Sequence, residues 1–167
     1  KETSTLLNSL LQWTRLQDSK IVIVPRQTDI YQILTSCVDL LKPNADQKGI
    51  SIELDAQTET VWCDEVSMHT VFRNLISNAI KFSKEEGIIK IRTHKNIDSV
   101  SVSVSDSGIG MTPEVLKRIF YKNEHYSSSG THNEQGTGLG LMLVKDFVEK
   151  NFAKLNVQSK SGEGTTI

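Results

Sequence analysis

The strictest constraint on this chain is the stretch from Ser99 to Met111, SVSVSVSDSGIGM. Serine and valine alternate through Val104, which is the two-residue period of a half-buried strand. The alternation then breaks at Asp106-Ser107-Gly108-Ile109-Gly110. A carboxylate at a strand end followed by two glycines reads in two ways. It is a capped turn into a helix that starts near Thr112, or it is a place where a ligand meets bare backbone. Glycine permits both, because it tolerates positive φ and close approach. A short glycine pattern does not decide between them.

The rest of the chain narrows the field. Its 167 residues are enough for one domain with a real core, which buries on the order of 70% of its unfolded surface. With 37% apolar and 23% charged residues it reads as globular rather than disordered. With a net charge of −1 and no basic block, nothing calls for nucleic acid or an anionic membrane as the main partner. No apolar run is long enough to span a bilayer, and there is no signal peptide. Cys37 and Cys63 form no CxxC pair, so they read as small buried hydrophobes in a reducing, cytoplasmic setting. The chain opens on Lys1 without an initiator methionine and closes within a strand-like run, so it reads as a piece of a larger protein.

Hydrophobic spacing orders the elements. Leu6, Leu7, Leu10, Leu11, Trp13 and Leu16 recur at helical spacing and predict an amphipathic helix over residues 1–18, separate from a domain over 19–167. Ile21 to Val24 predicts a strand ended by Pro25. Asp29 caps a helix through Leu41 that Pro43 and Gly49 close off. Strands are expected at 50–54 and 61–63. Asp64 caps a long helix from Glu65 to Phe82. A hairpin over 87–105 turns at Asn96-Ile97-Asp98. Pro113 opens a helix to Phe120. Residues 121–137 lose all periodicity and predict a long loop, and loops of that length are usually functional. A helix resumes over 139–152, followed by strands at 155–158 and from Thr165 onward. Strands mixed with a few long helices predict an α+β fold, a two-layer α/β sandwich with one mixed sheet and helices on one face.

Three features bear on chemistry. Asn74, Asn78 and Lys81 stand at i, i+4 and i+7 on one helix face. Amide oxygens are hard ligands, suited to a Mg²⁺ ion that arrives already carrying a polyphosphate, and Lys81 can neutralise phosphate charge beside them. The alternative is a solvated helix surface, against which two mid-helix asparagines weigh only modestly. Asp106 with Gly108 and Gly110 is the second feature. A fixed carboxylate there would accept from an amino group such as adenine N6 and repel the O6 acceptor of guanine. The third is Gly136-Thr137-Gly138-Leu139-Gly140-Leu141, directly ahead of a helix. Free N–H groups at a helix start bind phosphate, although such a run can also be a hinge. It does not follow a strand in a βαβ unit, so a dinucleotide fold is disfavoured.

Taken in order, HTVFRNLISNAIKFS, DSGIGM, RIF and GTGLGL resemble the N, G1, F and G2 boxes of bacterial sensor histidine kinases. The resemblance covers roughly Asp29 to Ile167. It implies a Bergerat-type ATP-binding sandwich, with ATP and Mg²⁺ as cofactors and γ-phosphoryl transfer to a histidine as the reaction. By this likeness Asn78 is the Mg²⁺ ligand, Asn74 and Lys81 serve the phosphates, and Phe82 lies against the adenine. Asp106, with Gly108, Ile109 and Gly110, reads the adenine, and Gly136 to Leu141 form the phosphate-binding hinge of an ATP lid. The run LLNSLLQWTRLQ resembles the end of the family's dimerisation and phosphoacceptor bundle. The implied partners are that bundle, a homodimeric parent and a response-regulator receiver, fused or separate. The implied location is the cytoplasmic part of a protein anchored in the inner membrane.

The chain also departs from the pattern. Phe120 is followed by Tyr121-Lys122-Asn123-Glu124 where the family has a second aromatic, and Lys122 is offered as a γ-phosphate-sensing base. Asn151-Phe152-Ala153 stands where a glycine-rich turn is common. None of His69, His94, His125 and His132 is followed by the acidic residue of a phosphoacceptor, so that histidine is expected upstream. Superfamily relatives that hydrolyse ATP resemble a pattern with a water-activating Glu at the place of Asn74. Lacking that base, the chain is expected to hold ATP for transfer rather than hydrolysis.

Overall fold

The computed structural model describes residues 22–119, 130–132, 134 and 138–167. The predicted helix over 1–18 and most of the long loop lie outside these residues. Among the described residues, seven strands and four helices follow in chain order: β1 (Arg26–Asp29), α1 (Ile30–Asp46), β2 (Ser51–Asp55), β3 (Thr60–Cys63), α2 (Glu65–Phe82), β4 (Ile88–Lys95), β5 (Val100–Asp106), α3 (Pro113–Arg118), α4 (Gly140–Lys150), β6 (Gln158–Lys160) and β7 (Gly164–Thr166).

The main sheet has five strands in the order β2-β4-β5-β7-β6. Only the β2–β4 pair is parallel, and the chain between those two strands carries β3 and the whole of α2. A parallel pair needs such a crossover, and this one lays α2 across the sheet. The β4–β5 hairpin sets Ile91 opposite Val104, and Ile89 opposite Asp106. Ile89, Ile91 and Val104 are buried with Leu34 of α1, Ile76 of α2 and Val144 of α4 in one core. The alternation that marked β5 therefore does bury Val104, and it ends with Asp106 at the rim.

Each long helix begins at a cap visible in the sequence. The Asp29 carboxylate accepts from the Tyr31 amide at 2.9 Å, and that of Asp64 from the Ser67 amide at 2.8 Å. Burial pushes the Asp64 carboxyl up, but the bonds from Ser67 and Val24, together with nearby Arg26, bring it below the ordinary value. Asn151, just after α4, ties that helix to the start of α2. Its Oδ1 accepts from the Asp64 amide, while its Nδ2 donates to Ser67 Oγ and the Phe147 carbonyl, each at 2.8 Å. Cys37 and Cys63 are free and buried, and burial pushes the Cys37 thiol up to about 11.

Several boundaries differ from the sequence expectation. The strand expected over 21–24 instead starts after Pro25, because pairing with β3 sets Arg26 opposite Cys63. Proline at that edge forfeits no ladder bond. The main sheet is the mixed one expected, and among the described residues β1 and β3 add a two-stranded sheet of their own. α1 runs through Pro43 to Asp46. The buried Ala45 anchors its last turn, and the Ala45 carbonyl receives the Ile50 amide at 2.9 Å. The strand expected over 155–158 lies at Gln158–Lys160, where β7 can pair with it. α3 and α4 end at Arg118 and Lys150, two residues short of their expected ends.

Candidate functional site

One face of α2 runs between the two glycine motifs. At its middle, Asn74 Nδ2 donates to the Thr70 carbonyl at 2.7 Å. Its Oδ1 lies 2.9 Å from the point where a Cβ on Gly140 would stand. Gly140 is the first residue of α4, and no side chain caps that helix. The start of a helix is the positive end of its dipole and attracts anions. Leu139 just before them is buried, and Leu141 packs on the core. The buried apolar side chains hold the glycine backbone against α2.

At its end, α2 meets the other motif. The Ile109 amide donates to the Phe82 carbonyl at 3.1 Å. A Cβ on Gly108 would come within 2.2 Å of that carbonyl oxygen and 2.7 Å of Asp106 Oδ1. Gly110 has φ +60°, and a Cβ there would reach 1.9 Å from the Lys160 carbonyl oxygen. Both glycines are thus required by backbone packed on backbone. The turn is wedged between the end of α2 and the β6–β7 turn, whose Gly162 amide donates to the Ile109 carbonyl at 2.7 Å.

Asp106 is held from two sides. Its Oδ1 accepts from the Gly108 amide at 2.8 Å and the Thr165 amide at 3.3 Å. Oδ2 accepts from none of the described residues. Burial raises the Asp106 carboxyl above the ordinary value, against the pull of those two amides. The result is an oriented, half-buried acceptor with one oxygen to spare.

Between these ends lie Asn78 and Lys81. The Asn78 side chain is half-buried and hydrogen-bonds to none of the described residues. Lys81 Nζ sits 4.7 Å from the centroid of the Phe82 ring, a cation–π distance. Burial lowers the Lys81 ammonium, while Glu134 pulls it up. From Asn74 to Phe82 the helix rises roughly 12 Å, enough for an extended nucleotide to lie along it.

The fold sets Gly140 beside Asn74, and Gly108 and Ile109 beside Phe82, with Asn78 and Lys81 on the α2 turns between; Gly138, Leu139 and Leu141 flank Gly140 in sequence, and Asp106 and Gly110 flank the other contact. Gly136, Thr137, Phe120, Lys122 and His125 lie outside the described residues. Of the remaining histidines, His69 faces Ser36, with 3.4 Å between Nε2 and Oγ. Sequence reasoning missed Thr165, which orients Asp106 from a strand 59 residues away. It also missed Lys48 and Glu134, which meet at the end of α2. Their partners are distant in sequence, so no spacing announces them.

Residues 63–167 match the model of a family described as histidine kinase-, DNA gyrase B-, and HSP90-like ATPase. The chain belongs to this ATPase family. Within it, the chain resembles sensor kinases. It is 33% identical over 173 residues to the autoinducer 2 sensor kinase/phosphatase LuxQ of Vibrio vulnificus, covering 97% of this chain and 20% of LuxQ. Full-length ShkA in complex with AMPPNP superposes with a TM-score of 0.80 at 26% identity, over 97% of this chain and 34% of ShkA. Histidine kinase ThkA in complex with response regulator TrrA shares the fold, with a TM-score of 0.75 at 21% identity, over 99% of this chain and 45% of the other. The chain spans about a fifth of the length of several curated relatives it matches. As a member of the ATPase family it is an ATP-binding catalytic domain of the sensor histidine kinase type. No helix among its described residues is long and apolar enough to cross a membrane.

Proposed function

We propose that this domain binds Mg²⁺-ATP along α2 and delivers the γ-phosphoryl group to a histidine on an upstream helical bundle of its parent. One observation carries the reading. Along one helix stand an oriented carboxylate, an ammonium, an amide that bonds to none of the described residues and the start of a second helix, a span that suits a nucleotide laid with its base at the Phe82 end. Asp106 Oδ2 is the free acceptor for the adenine amino group, and Phe82 offers its ring to the base. The Gly108-Ile109-Gly110 backbone lets the purine approach without side-chain interference. Asn78 offers the one oxygen that a phosphate-bound Mg²⁺ needs from the protein. Asn74, Lys81 and the glycine run from Gly136 to Leu141 face the phosphates.

Bound Mg²⁺ supplies charge neutralisation on the polyphosphate. The protein's own share is positioning and electrostatics, which is most of what phosphoryl transfer asks. No carboxylate stands one turn before Asn78 to deprotonate water. Asn74 occupies that place with its amide donor committed to the Thr70 carbonyl. This supports transfer over hydrolysis. The parent is read as a homodimer, membrane-anchored with this domain in the cytoplasm, that passes phosphate to a response-regulator receiver. The test is calorimetry of ATP binding with and without Mg²⁺, then an assay for acid-labile phosphohistidine with the upstream bundle restored. Binding strengthened by Mg²⁺ and followed by phosphohistidine is expected. An intact domain that binds no ATP at millimolar concentration defeats the reading.

A further inference from the structure

Lys48, in the turn after α1, fastens three remote segments together. Its side chain is only 6% exposed, and a buried ammonium persists only when its protons are taken up. Nζ donates to the Ile80 and Lys81 carbonyls at 2.9 and 3.1 Å, in the last turn of α2, where the helix presents the negative end of its dipole. It also donates to Thr131 Oγ1 at 2.7 Å and to Glu134 Oε1 at 2.9 Å.

The Thr131 segment is seated on α2 by its backbone as well. The Thr131 amide donates to the Lys81 carbonyl at 3.1 Å, and Thr131 Oγ1 donates to the Ser83 carbonyl at 2.7 Å. The Gly130 amide closes a turn on the Glu134 carbonyl at 2.9 Å. A Cβ on Gly130 would stand 2.8 Å from the Lys81 carbonyl oxygen, so this seat requires glycine. His132 adds a contact to Glu85, with 2.8 Å between Nε2 and Oε1.

The clamp stands just ahead of the second glycine motif. Glu134 comes about six residues before Gly140, a reach of at most roughly 20 Å. Gly140 packs on Asn74, about 10 Å back along α2 from the carbonyls that Lys48 binds. The chain into α4 therefore leaves from one fixed point on α2 and arrives at another.

We propose that Lys48 is a positioning residue for the glycine run that opens α4: by clamping Thr131 and Glu134 to the end of α2 it shortens the loop that brings Gly138 to Leu141 against Asn74. This rests on the ATP-binding reading above, in which that run meets the phosphates. With the clamp, about six residues close the loop onto Gly140. Without it the nearest described element upstream is α3, which ends at Arg118, about 22 residues before Gly140. The probability of loop closure falls with the three-halves power of length, here about sevenfold.

The experiment is calorimetry on the 167-residue chain with Mg²⁺-ATP and with adenosine, which carries no phosphate. Lys48→Met and Glu134→Ala should each weaken ATP by about fivefold to tenfold and leave adenosine within about twofold. Combined, they should weaken ATP no further than Lys48→Met alone, because both break one clamp. Hydrogen exchange without nucleotide should quicken at the Leu143 amide, which donates to the Leu139 carbonyl in the first turn of α4, and stay unchanged in β4. A loss of global stability would quicken both, and that result overturns the proposal. So do equal losses of ATP and adenosine affinity. If Lys48 and Glu134 acted through charge alone, Glu134→Ala would remove an anion and tighten ATP. Tighter or unchanged ATP binding by that variant overturns the proposal, and it decides the matter by itself if Lys48→Met does not fold. If the wild-type chain binds ATP and these ratios fail to move, only the Lys48 proposal falls. If the wild-type chain binds none, both fall.

Discussion

The Ile109 amide and the Phe82 carbonyl are joined by a 3.1 Å hydrogen bond that fastens the glycine turn after β5 to the last residue of α2. The bond is possible only because Gly108 has no side chain. Its Cβ would stand 2.2 Å from the same carbonyl oxygen, well inside van der Waals contact. Gly108→Ala is therefore expected to push the turn off the helix. The expected cost is about 1–3 kcal/mol of stability, in line with overpacking, together with weaker nucleotide binding. Urea unfolding and calorimetry check the two effects separately.

If Asp106 reads the adenine as proposed, nucleotide binding should depend on pH. Burial raises its carboxyl above the ordinary 3.8, and only the ionised form offers an acceptor at both oxygens. ATP affinity should fall as pH is lowered through that raised value, beginning at a higher pH than a surface aspartate would give. Stability moves the other way. The native state holds this proton more tightly than the unfolded chain, so this group's contribution to stability declines as pH rises from 3.8 to its folded value. Asp106→Asn keeps the acceptor for Gly108 and Thr165 but presents a donor to the adenine amino group. It should lower ATP affinity tenfold or more and remove the pH dependence. Binding isotherms over a pH series that descends from neutrality through the raised value check this.

Asn78 has no competing partner among the described residues, so its substitution should act on the metal alone. Asn78→Ala is expected to abolish the gain in ATP affinity that Mg²⁺ confers. Adenosine binding and the unfolding midpoint should stay close to wild type, since a truncation that breaks no described hydrogen bond and opens no core cavity costs within about 0.5 kcal/mol. Titration of ATP with and without Mg²⁺ is the check.

Phe152 holds a position made for glycine. It follows α4 with φ +56°, its amide donates to the Glu149 carbonyl at 3.0 Å, and its side chain is 94% exposed. A left-handed conformation costs a non-glycine residue about 1–2 kcal/mol, and here no burial offsets it. Phe152→Gly should stabilise the domain by about 0.5–1 kcal/mol, less than the full strain because glycine gains freedom in the unfolded chain. Chemical denaturation should show a higher midpoint with an unchanged slope.

The locally written features were legible without coordinates. The caps Asp29 and Asp64, the stripe on α2, the Ser–Val alternation of β5, and the Asn74–Asn78–Lys81 face each depend on residues within a few positions of one another. Helical and strand periods express them directly. The motif order pointed to the family, and the fold then set Gly140 beside Asn74, and Gly108 and Ile109 beside Phe82.

Only the tertiary structure decided the rest. Pairing with β3 moved β1 past Pro25 into a separate sheet, and burial of Ala45 carried α1 through Pro43. Thr165 orients Asp106, Asn151 ties α4 to the start of α2, and Lys48 meets Glu134 across 86 residues. These groups meet because the crossover through α2 and the β5–β7 pairing fold remote segments together. A hydrogen bond between remote segments leaves no period in the chain, so sequence spacing names the chemistry while packing selects its supports.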